Sequence, residues 1–265
     1  MRAILAALFM FGTAGSAIAD DTAAHRGFLD FDEPLPQGYV TGAGLITLLG
    51  PTGMFQNATS GIAAKHAFTV QSCMTFRNNG GDHFHANGVL VEYGVTDWLE
   101  IGGLGLFPAD LDPKVAGDSE LQAGQVNGRV RLMRDQGMMP EVTVGGVVQR
   151  GDAPIQSSSV YIAASKGFAL SDGPFMKSVR FHAGFREDLP ELGSDASTAY
   201  FGLELQVLQY VYLIGEVNTK DDSYRNTPWS LGMQIRSNAF GFSLAVLQNP
   251  SDDHLASYVG IGVSY

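Results

Sequence analysis

Hydrophobic and polar residues alternate along most of the chain after residue 60. In residues 255–265, one row carries Leu255 and Ile261, and the other row carries small or polar residues such as Gly260. A side chain that changes sides at each step is typical of a β-strand. One apolar row and one small or polar row, about ten residues long, is the pattern of a membrane-spanning barrel strand.

Twelve segments of this kind are predicted. They lie at 62–76, 84–94, 97–107, 121–134, 140–150, 157–169, 175–186, 197–206, 209–218, 227–236, 239–248 and 254–265. Short turns and longer links alternate between them, as they do in barrels with short periplasmic turns and longer outer loops. An even number of strands also returns the chain to the side on which it started. The pattern therefore predicts an all-β fold, an antiparallel transmembrane up-and-down β-barrel of about 12 strands over residues 60–265.

Charged side chains within these strands indicate which row faces the interior. Arg or Lys on a lipid-facing position near mid-membrane costs about 2–4 kcal/mol. The charged positions are therefore predicted to point inward, where they pair with one another or line water. The predicted lumen-lining residues are Glu100, Arg129, Arg131, Glu141, Arg180, His182, Arg186, Glu204, Glu216 and Arg236.

Alternation alone does not exclude a soluble β-sandwich or a lipocalin-like barrel, in which the apolar row faces inward. The start of the chain favours a membrane barrel. The sequence predicts a secretory signal peptide over 1–19, cleaved near Ala19. This prediction depends on the basic start Met1-Arg2, the apolar run from Ala3 to Phe11 and the small residues up to Ala19. Residues 20–59 are then a polar, glycine-rich leader, either periplasmic or a plug in the lumen. The predicted location is the bacterial outer membrane, with its lipid as a partner.

Composition and charge narrow the choice of partners. Removal of residues 1–19 leaves 265 − 19 = 246 residues, with 16 − 1 = 15 basic and 27 acidic side chains, a net charge of −12. That balance argues against nucleic acid as a partner. Charged residues make up only 16% of the chain and Gly is abundant at 33 residues, as alternating barrel strands require. Cys73, the single cysteine, has no partner for a disulfide within the chain.

Candidate catalytic and metal-binding residues are few. His83 and His85 share one strand face, but no second pair of ligands accompanies them. Acidic and histidine residues at the predicted outer rim (Asp82, His83, Asp221, Asp222, Asp252, Asp253 and His254) resemble the rim of the omptin outer-membrane proteases. Those proteases have ten strands that protrude further. The acidic loop around Asp110 and Asp112 lacks the spacing of a dedicated Ca²⁺ site. We predict no catalytic residue, metal or cofactor.

Two stretches resemble known envelope proteins. Gly44-Leu-Ile-Thr-Leu-Leu-Gly-Pro-Thr-Gly53 is similar to the entry to the first strand in exopolysaccharide-associated outer-membrane barrels (YjbH-like). The hairpin Val91-Glu-Tyr-Gly-Val-Thr-Asp-Trp-Leu-Glu-Ile-Gly102 is similar to one found in that group and in other outer-membrane transporters. The resemblance implies a polysaccharide-related role. The final strand, Leu255–Tyr265, resembles the C-terminal signal by which outer-membrane barrels reach their assembly machinery, which is therefore an expected partner.

The sequence leaves two kinds of function open. The barrel is either a passive pore or export-associated channel for small polar solutes or polysaccharide, or a structural, envelope-assembly barrel whose lumen is filled. An omptin-like rim protease is the third and least supported alternative. No predicted loop is long enough to fold in as a constriction, but the leader over 20–55 is able to plug the opening.

Overall fold

A computed structural model of the chain describes residues 47, 53–79, 82–109, 123–151, 157–171, 173–190, 195–219, 226–237, 240–248 and 255–264. Twelve β-strands are present in this part of the chain. They are β1 (Phe68–Asn79), β2 (Asp82–Thr96), β3 (Leu99–Ala109), β4 (Ala123–Met133), β5 (Glu141–Gly151), β6 (Ser157–Ala169), β7 (Ser178–Pro190), β8 (Ala196–Gln206), β9 (Val211–Asn218), β10 (Trp229–Arg236), β11 (Phe240–Gln248) and β12 (Leu255–Ser264). No helix in the described residues has the length and apolar character that crossing a membrane requires. The predicted signal peptide and its cleavage site lie outside the described residues.

The strands form one closed barrel. Each strand pairs antiparallel with its neighbours in the sequence, and β1 pairs with β12 to complete the ring. The closing ladder runs from Thr69 opposite Ser264 to Arg77 opposite Ala256. Closure leaves no unpaired sheet edge. The predicted fold class, an antiparallel up-and-down barrel of about 12 strands, is confirmed.

The apolar row of each strand faces outward and the polar row faces inward. In β4, Val126 on the outward row is 64% exposed, whereas its inward neighbours Gln125 and Asn127 are 5% and 7% exposed. Large apolar side chains on other strands are exposed in the same way, among them Ile101, Ile162, Phe201, Leu231 and Ile261. A soluble barrel has the opposite orientation, so the lipocalin-like alternative is wrong.

Connection lengths differ from the predicted strict alternation. The sequence predicts a connection over residues 77–83. In the structure only two residues separate the end of β1 at Asn79 from the start of β2 at Asp82. At the opposite end, the links at 134–140 and 170–177 are longer than the predicted turns. Backbone pairing between β1 and β2 continues through Asn78 and His83. Pairing of this kind depends on main-chain groups and not on side-chain polarity, so polar residues were a poor marker of the strand ends.

The first strand begins six residues later than its prediction at 62–76. Ile62 is completely buried and Ala63 is 8% exposed, and neither belongs to a strand. The chain turns at 64–67, where the amide of Ala67 donates to the carbonyl of Ala64 at 2.9 Å. A Cβ on Gly94 would lie 2.0 Å from that same carbonyl oxygen. The absence of a side chain at Gly94 therefore allows the chain to pass from the barrel interior into β1.

One ion pair anchors the turn between β4 and β5. The Asp135 carboxylate accepts hydrogen bonds from the Lys166 ammonium group and, at 3.1 Å, from the amide of Gly167. Lys166 also donates to the carbonyl of Gly137 within the turn. Burial alone would raise the pKa of Asp135, but these hydrogen bonds and the nearby positive charges outweigh it and lower the pKa.

Replacement of an outward-facing leucine by arginine tests the orientation of the rows. Leu244 lies on the outward row in the middle of β11, and Leu189 lies on the outward row near the end of β7. In lipid vesicles, we expect Leu244→Arg to lower the free energy of unfolding by about 2–4 kcal/mol and Leu189→Arg by about 0–1 kcal/mol. Urea titration followed by tryptophan fluorescence measures both, and equal costs would contradict the assigned orientation.

The depressed pKa of Asp135 predicts a pH dependence of stability. The ionised carboxylate stabilises the fold fully above the pKa of an unfolded aspartate, about 3.9. This contribution is lost as the pH falls through the lower, folded pKa. We expect Asp135→Asn to be less stable than the native chain near neutral pH and to show a smaller loss of stability below about pH 4. Unfolding curves at a series of pH values give the comparison, and parallel profiles for the two proteins would contradict it.

Candidate functional site: the barrel interior

The ten residues predicted to line the lumen all lie on the inward rows of their strands. Seven of them are buried, namely Glu100, Arg129, Glu141, His182, Glu204, Glu216 and Arg236. The other three, Arg131, Arg180 and Arg186, are partly exposed. Their positions follow from the two-residue period of a strand, because their apolar neighbours occupy the outward rows.

The deepest charges form a pair between β3 and β4. Arg129 Nε lies 2.7 Å from Glu100 Oε1, and Arg129 Nη2 lies 2.8 Å from Glu100 Oε2. Both side chains are completely shielded from solvent. A bidentate arrangement satisfies the planar guanidinium and the carboxylate together. Removal of either partner from such a pair leaves an uncompensated buried charge.

Further carboxylates neutralise the other inward arginines. Glu141 lies 2.7 Å from both Arg131 Nε and Arg180 Nη2. Glu204 lies 2.6 Å from Arg236 Nη2. The guanidinium of Arg236 also lies 4.2 Å from the centroid of the Tyr212 ring, a distance typical of a cation–π contact.

Arg186 Nε lies 2.9 Å from Asp188 Oδ2 on the same strand. Each arginine predicted to line the lumen therefore has a carboxylate partner in the described structure.

Residues 53–63, here called the inner segment, lie inside the barrel. The Glu216 carboxylate holds the first half of this segment. It accepts hydrogen bonds from the amides of Phe55, Gln56 and Asn57 at 3.1, 2.7 and 3.2 Å, and from Asn57 Nδ2 at 2.8 Å. Ser230 Oγ donates a further bond. Successive backbone amides that converge on one anion form a strong binding arrangement.

The opposite wall holds the second half of the inner segment by its backbone. The carbonyl of Thr59 accepts from Arg129 Nη1 at 3.1 Å, and the carbonyl of Ser60 accepts from Thr143 Oγ1 at 2.6 Å. The amide of Ala63 donates to Glu100 Oε2. These contacts join the inner segment to β3, β4 and β5, whereas Glu216 joins it to β9, so the segment crosses the interior.

Two neutral side chains complete the attachment. Tyr200 Oη donates to the carbonyl of Ala58 at 2.9 Å, and Gln234 Nε2 donates to the carbonyl of Met54 at 3.0 Å. Thr143, Tyr200 and Gln234 were not among the predicted site residues, because neutral polar residues are frequent on every inward row. The inner segment itself belongs to the charge-free run 34–64. The absence of charge in this run could have indicated a segment buried inside the barrel, since a segment without charge costs the least free energy to bury.

The width of the barrel explains why a segment fits inside it. Eight strands enclose a space that side chains alone fill, whereas sixteen or more enclose an aqueous channel. Twelve strands lie between these limits. The inner segment occupies part of the additional room, and all of its residues except Gln56 are buried.

Histidine and acidic residues form no metal site in the part of the chain that the structure describes. No group of three or more His, Cys, Asp or Glu side chains comes together there. His182 is buried, and its Nδ1 lies 2.8 Å from Ser165 Oγ. The structure does not describe the side chains considered for a metal or for rim catalysis, namely those of Asp82, His83, His85, Asp110, Asp112, Asp221, Asp222, Asp252, Asp253 and His254.

The fold is similar to that of solved porins. A KdgM porin is 9% identical in sequence, with a TM-score of 0.55, and the match covers 74% of this chain and 99% of that chain. A KdgM porin in complex with disordered oligogalacturonate is also 9% identical in sequence, with a TM-score of 0.53, and the match again covers 74% of this chain and 99% of that chain. The translocator domain of the autotransporter NalP from Neisseria meningitidis is 12% identical, with a TM-score of 0.43 and coverage of 75% and 87%.

No protein-family model matches the sequence, and no curated protein sequence matches it. The likeness to KdgM porin is therefore one of fold. It places the chain in the class of closed antiparallel barrels with an outward apolar surface, to which outer-membrane β-barrels belong. The resemblance to YjbH-like barrels stays a prediction.

Glu216 should determine how firmly the inner segment is held. We expect Glu216→Leu to expose the segment, because the amides of Phe55, Gln56 and Asn57 lose a charged acceptor. Maleimide labelling of Ala58→Cys, in a Cys73→Ser background, should become faster by about tenfold or more, since each bond to a charged group contributes about 1.5–3 kcal/mol.

Glu187→Leu is the matched control for this labelling experiment. Glu187 lies on the outward row of β7 and accepts a bond from Ser197 Oγ, so its loss should leave the labelling rate unchanged. If Ala58→Cys is labelled equally slowly with and without Glu216→Leu, then Glu216 does not hold the inner segment.

Proposed function

We propose that the chain is an outer-membrane β-barrel that acts as a passive pore for small polar solutes, with the inner segment as its constriction. One observation carries the proposal: a closed barrel has an apolar exterior and a polar, charge-paired interior crossed by a short segment. Porins combine the same outward apolar band and polar interior. The fold shared with KdgM porin supports this function.

The exterior supports a location in the membrane. Exposed apolar side chains occur on all sides of the barrel, and a surface of this extent is stable only when lipid or another apolar partner covers it. Exposed aromatic residues lie at or near strand ends, among them Trp98, Phe168, Phe175, Trp229 and Phe240. Aromatic residues at these positions are typical of the girdles at both membrane interfaces. We infer that outer-membrane lipid surrounds the barrel.

The pairing of the interior charges favours small polar solutes over acidic polymers. Arg129, Arg131, Arg180, Arg186 and Arg236 all contact carboxylates. An anionic chain such as the oligogalacturonate bound by KdgM porin would have to displace these partners at a cost in buried charge. Polysaccharide export, suggested by the residues that resemble YjbH-like barrels, stays a weaker proposal for the same reason.

A filled, structural barrel is the second candidate function, and a specific observation favours it. The Glu100–Arg129 pair is completely shielded, and the inner segment bonds to opposite walls of the interior. These contacts leave little room for a wide aqueous path at that level. The pore and the structural barrel therefore differ in one property, which is whether ions pass the inner segment.

Assembly in the membrane would use the C-terminal strand. Residues Leu255–Ser264 form β12, which pairs with β1 and β11. The final residue, Tyr265, lies outside the described residues. We propose that this strand is the signal for the outer-membrane assembly machinery. The omptin-like alternative depends on rim side chains outside the described residues, and nothing in the described interior supports it.

Single-channel recording in planar bilayers tests the pore. We expect the native chain to give a small, steady conductance and Glu216→Leu to give a larger one, because release of the inner segment widens the path. Arg180→Glu should shift the ion preference towards cations, since it replaces an inward positive charge by a negative one.

Arg134→Glu is the control for the selectivity change. Arg134 has the same charge but lies in the turn after β4, with its side chain 53% exposed, and its replacement should alter the ion preference much less. Absence of conductance in both the native chain and Glu216→Leu, when circular dichroism shows that both are folded, would support the structural barrel and contradict the pore.

A further inference from the structure

Large apolar side chains protrude from two turns at the end of the barrel where β1 begins. Residues 134–140 connect β4 to β5 and residues 170–177 connect β6 to β7, and both connections are here called the apolar turns. Their exposed apolar residues are Met138 at 89%, Phe175 at 67%, Met139 at 62%, Leu170 at 51% and Met176 at 47%. Several exposed apolar side chains on one surface are typical of a contact with a membrane or a protein partner.

Hydrogen bonds hold the backbone of the second apolar turn. The amide of Leu170 donates to the carbonyl of Lys177 at 2.9 Å. The amide of Met176 donates to the carbonyl of Val207, in the next turn along the chain, at 3.1 Å. Met176 has a φ of 54°, in the left-handed region that residues other than glycine rarely adopt. Neighbouring structure therefore fixes this turn, and Phe175 is exposed on an ordered backbone.

Polar groups of the first apolar turn bind one another. Gln136 and Met139 exchange two backbone hydrogen bonds, at 3.2 and 2.9 Å. The ammonium group of Lys166 donates to the Asp135 carboxylate and to the carbonyl of Gly137, and at 3.3 Å to the carbonyl of Met139. The Lys166–Asp135 pair also cancels the two charges. A turn in water has no need of such internal partners, whereas a turn in contact with lipid does, because lipid offers none.

The side chain of Lys166 connects this turn to the lipid-facing side of the barrel. Lys166 lies on the outward row of β6, together with Ile162 and Phe168. Its ammonium group is 5.9 Å from the centroid of the Phe168 ring. Phe168 packs edge-on against Phe181 of β7, with the ring centroids 6.1 Å apart, and Leu170 lies two residues further along the chain. The apolar turns are therefore continuous with the outward apolar surface.

We propose that the apolar turns lie in the headgroup–acyl boundary of the phospholipid leaflet at this end of the barrel, and not in water. The inference rests on the proposed location in the membrane. It goes beyond the proposed pore, because the turns would contact lipid whether or not the barrel conducts.

Phospholipid fits these turns better than a protein partner does. The apolar tips continue the outward row, and the polar groups between them already have partners within the turn. Arg134 precedes the first turn, and its side chain is 53% exposed. A long basic side chain at this position reaches the lipid phosphates while the apolar residues beside it stay in the boundary.

Fluorescence quenching in phosphatidylcholine vesicles tests the position of the turns. Met138→Cys and Phe175→Cys are made in a Cys73→Ser background and labelled with a polarity-sensitive fluorophore. The vesicles carry either a nitroxide near the top of the acyl chain or no quencher, in which case iodide is added to the buffer. We expect nitroxide quenching at both positions to be about twofold or more stronger than at Lys65→Cys, because interfacial apolar groups lie about 5–10 Å into the boundary.

Two control positions bracket the measurement. Lys65 is exposed in the turn 64–67 at the same end of the barrel, so a probe at Lys65→Cys should be quenched mainly by iodide. Leu244 lies on the outward row in the middle of β11, so a probe at Leu244→Cys should be quenched mainly by the nitroxide.

Replacement of Lys166 tests the role of the internal partners. Lys166→Met leaves the Asp135 carboxylate and the carbonyl of Gly137 without their donor, so we expect the probe at Met138 to move towards water and to be quenched more by iodide. Lys166→Arg keeps a positive donor and should keep the native quenching.

Two outcomes would overturn the inference. Iodide quenching at Met138 and Phe175 equal to that at Lys65, with strong nitroxide quenching at Leu244, would show that the turns lie in water and would favour a protein partner. Absence of nitroxide quenching at every position, Leu244 included, would overturn the membrane location and this inference with it. None of these measurements depends on conductance, so failure of the pore is a separate result.

Discussion

The interior depends on the attachment of the inner segment to buried charges of the barrel wall. A ring of twelve strands encloses more space than its own side chains fill, and the inward rows carry charges that need partners away from bulk water. The backbone of residues 53–63 meets both needs, because its amides and carbonyls reach Glu216 on one side and Glu100 and Arg129 on the other. The wall and the segment therefore stabilise each other.

In the proposed pore, this arrangement links the stability of the fold to passage through the barrel. The side chains that hold the inner segment are the ones that line the interior, so a change that widens the path also removes bonds to buried charges. Pairing of arginines with carboxylates has a second consequence, since it leaves the described interior without a surplus of positive charge. If the barrel is the proposed pore, such an interior selects solutes mainly by size and by local dipoles.

Most of the barrel was predictable because its signal is local. Eleven of the twelve strands lie within a few residues of their predicted bounds, since the two-residue period is determined by lipid outside and polar groups inside. The exception is the first strand. Ile62 and Ala63 continue the apolar pattern, but they are buried by contacts inside the barrel and not by a place in the ladder. Such contacts join residues far apart in the chain, and no local pattern records them.

Local patterns along the chain were enough to predict the class of fold, the number of strands and the inward row for the ten predicted lumen residues. These follow from the period of a strand and the cost of a charge in lipid, both of which act on neighbouring residues. The folded barrel alone shows which arginine pairs with which carboxylate, and that Glu216 binds three successive amides. The strand register and the path of the inner segment set those distances, and both depend on closure of the whole ring.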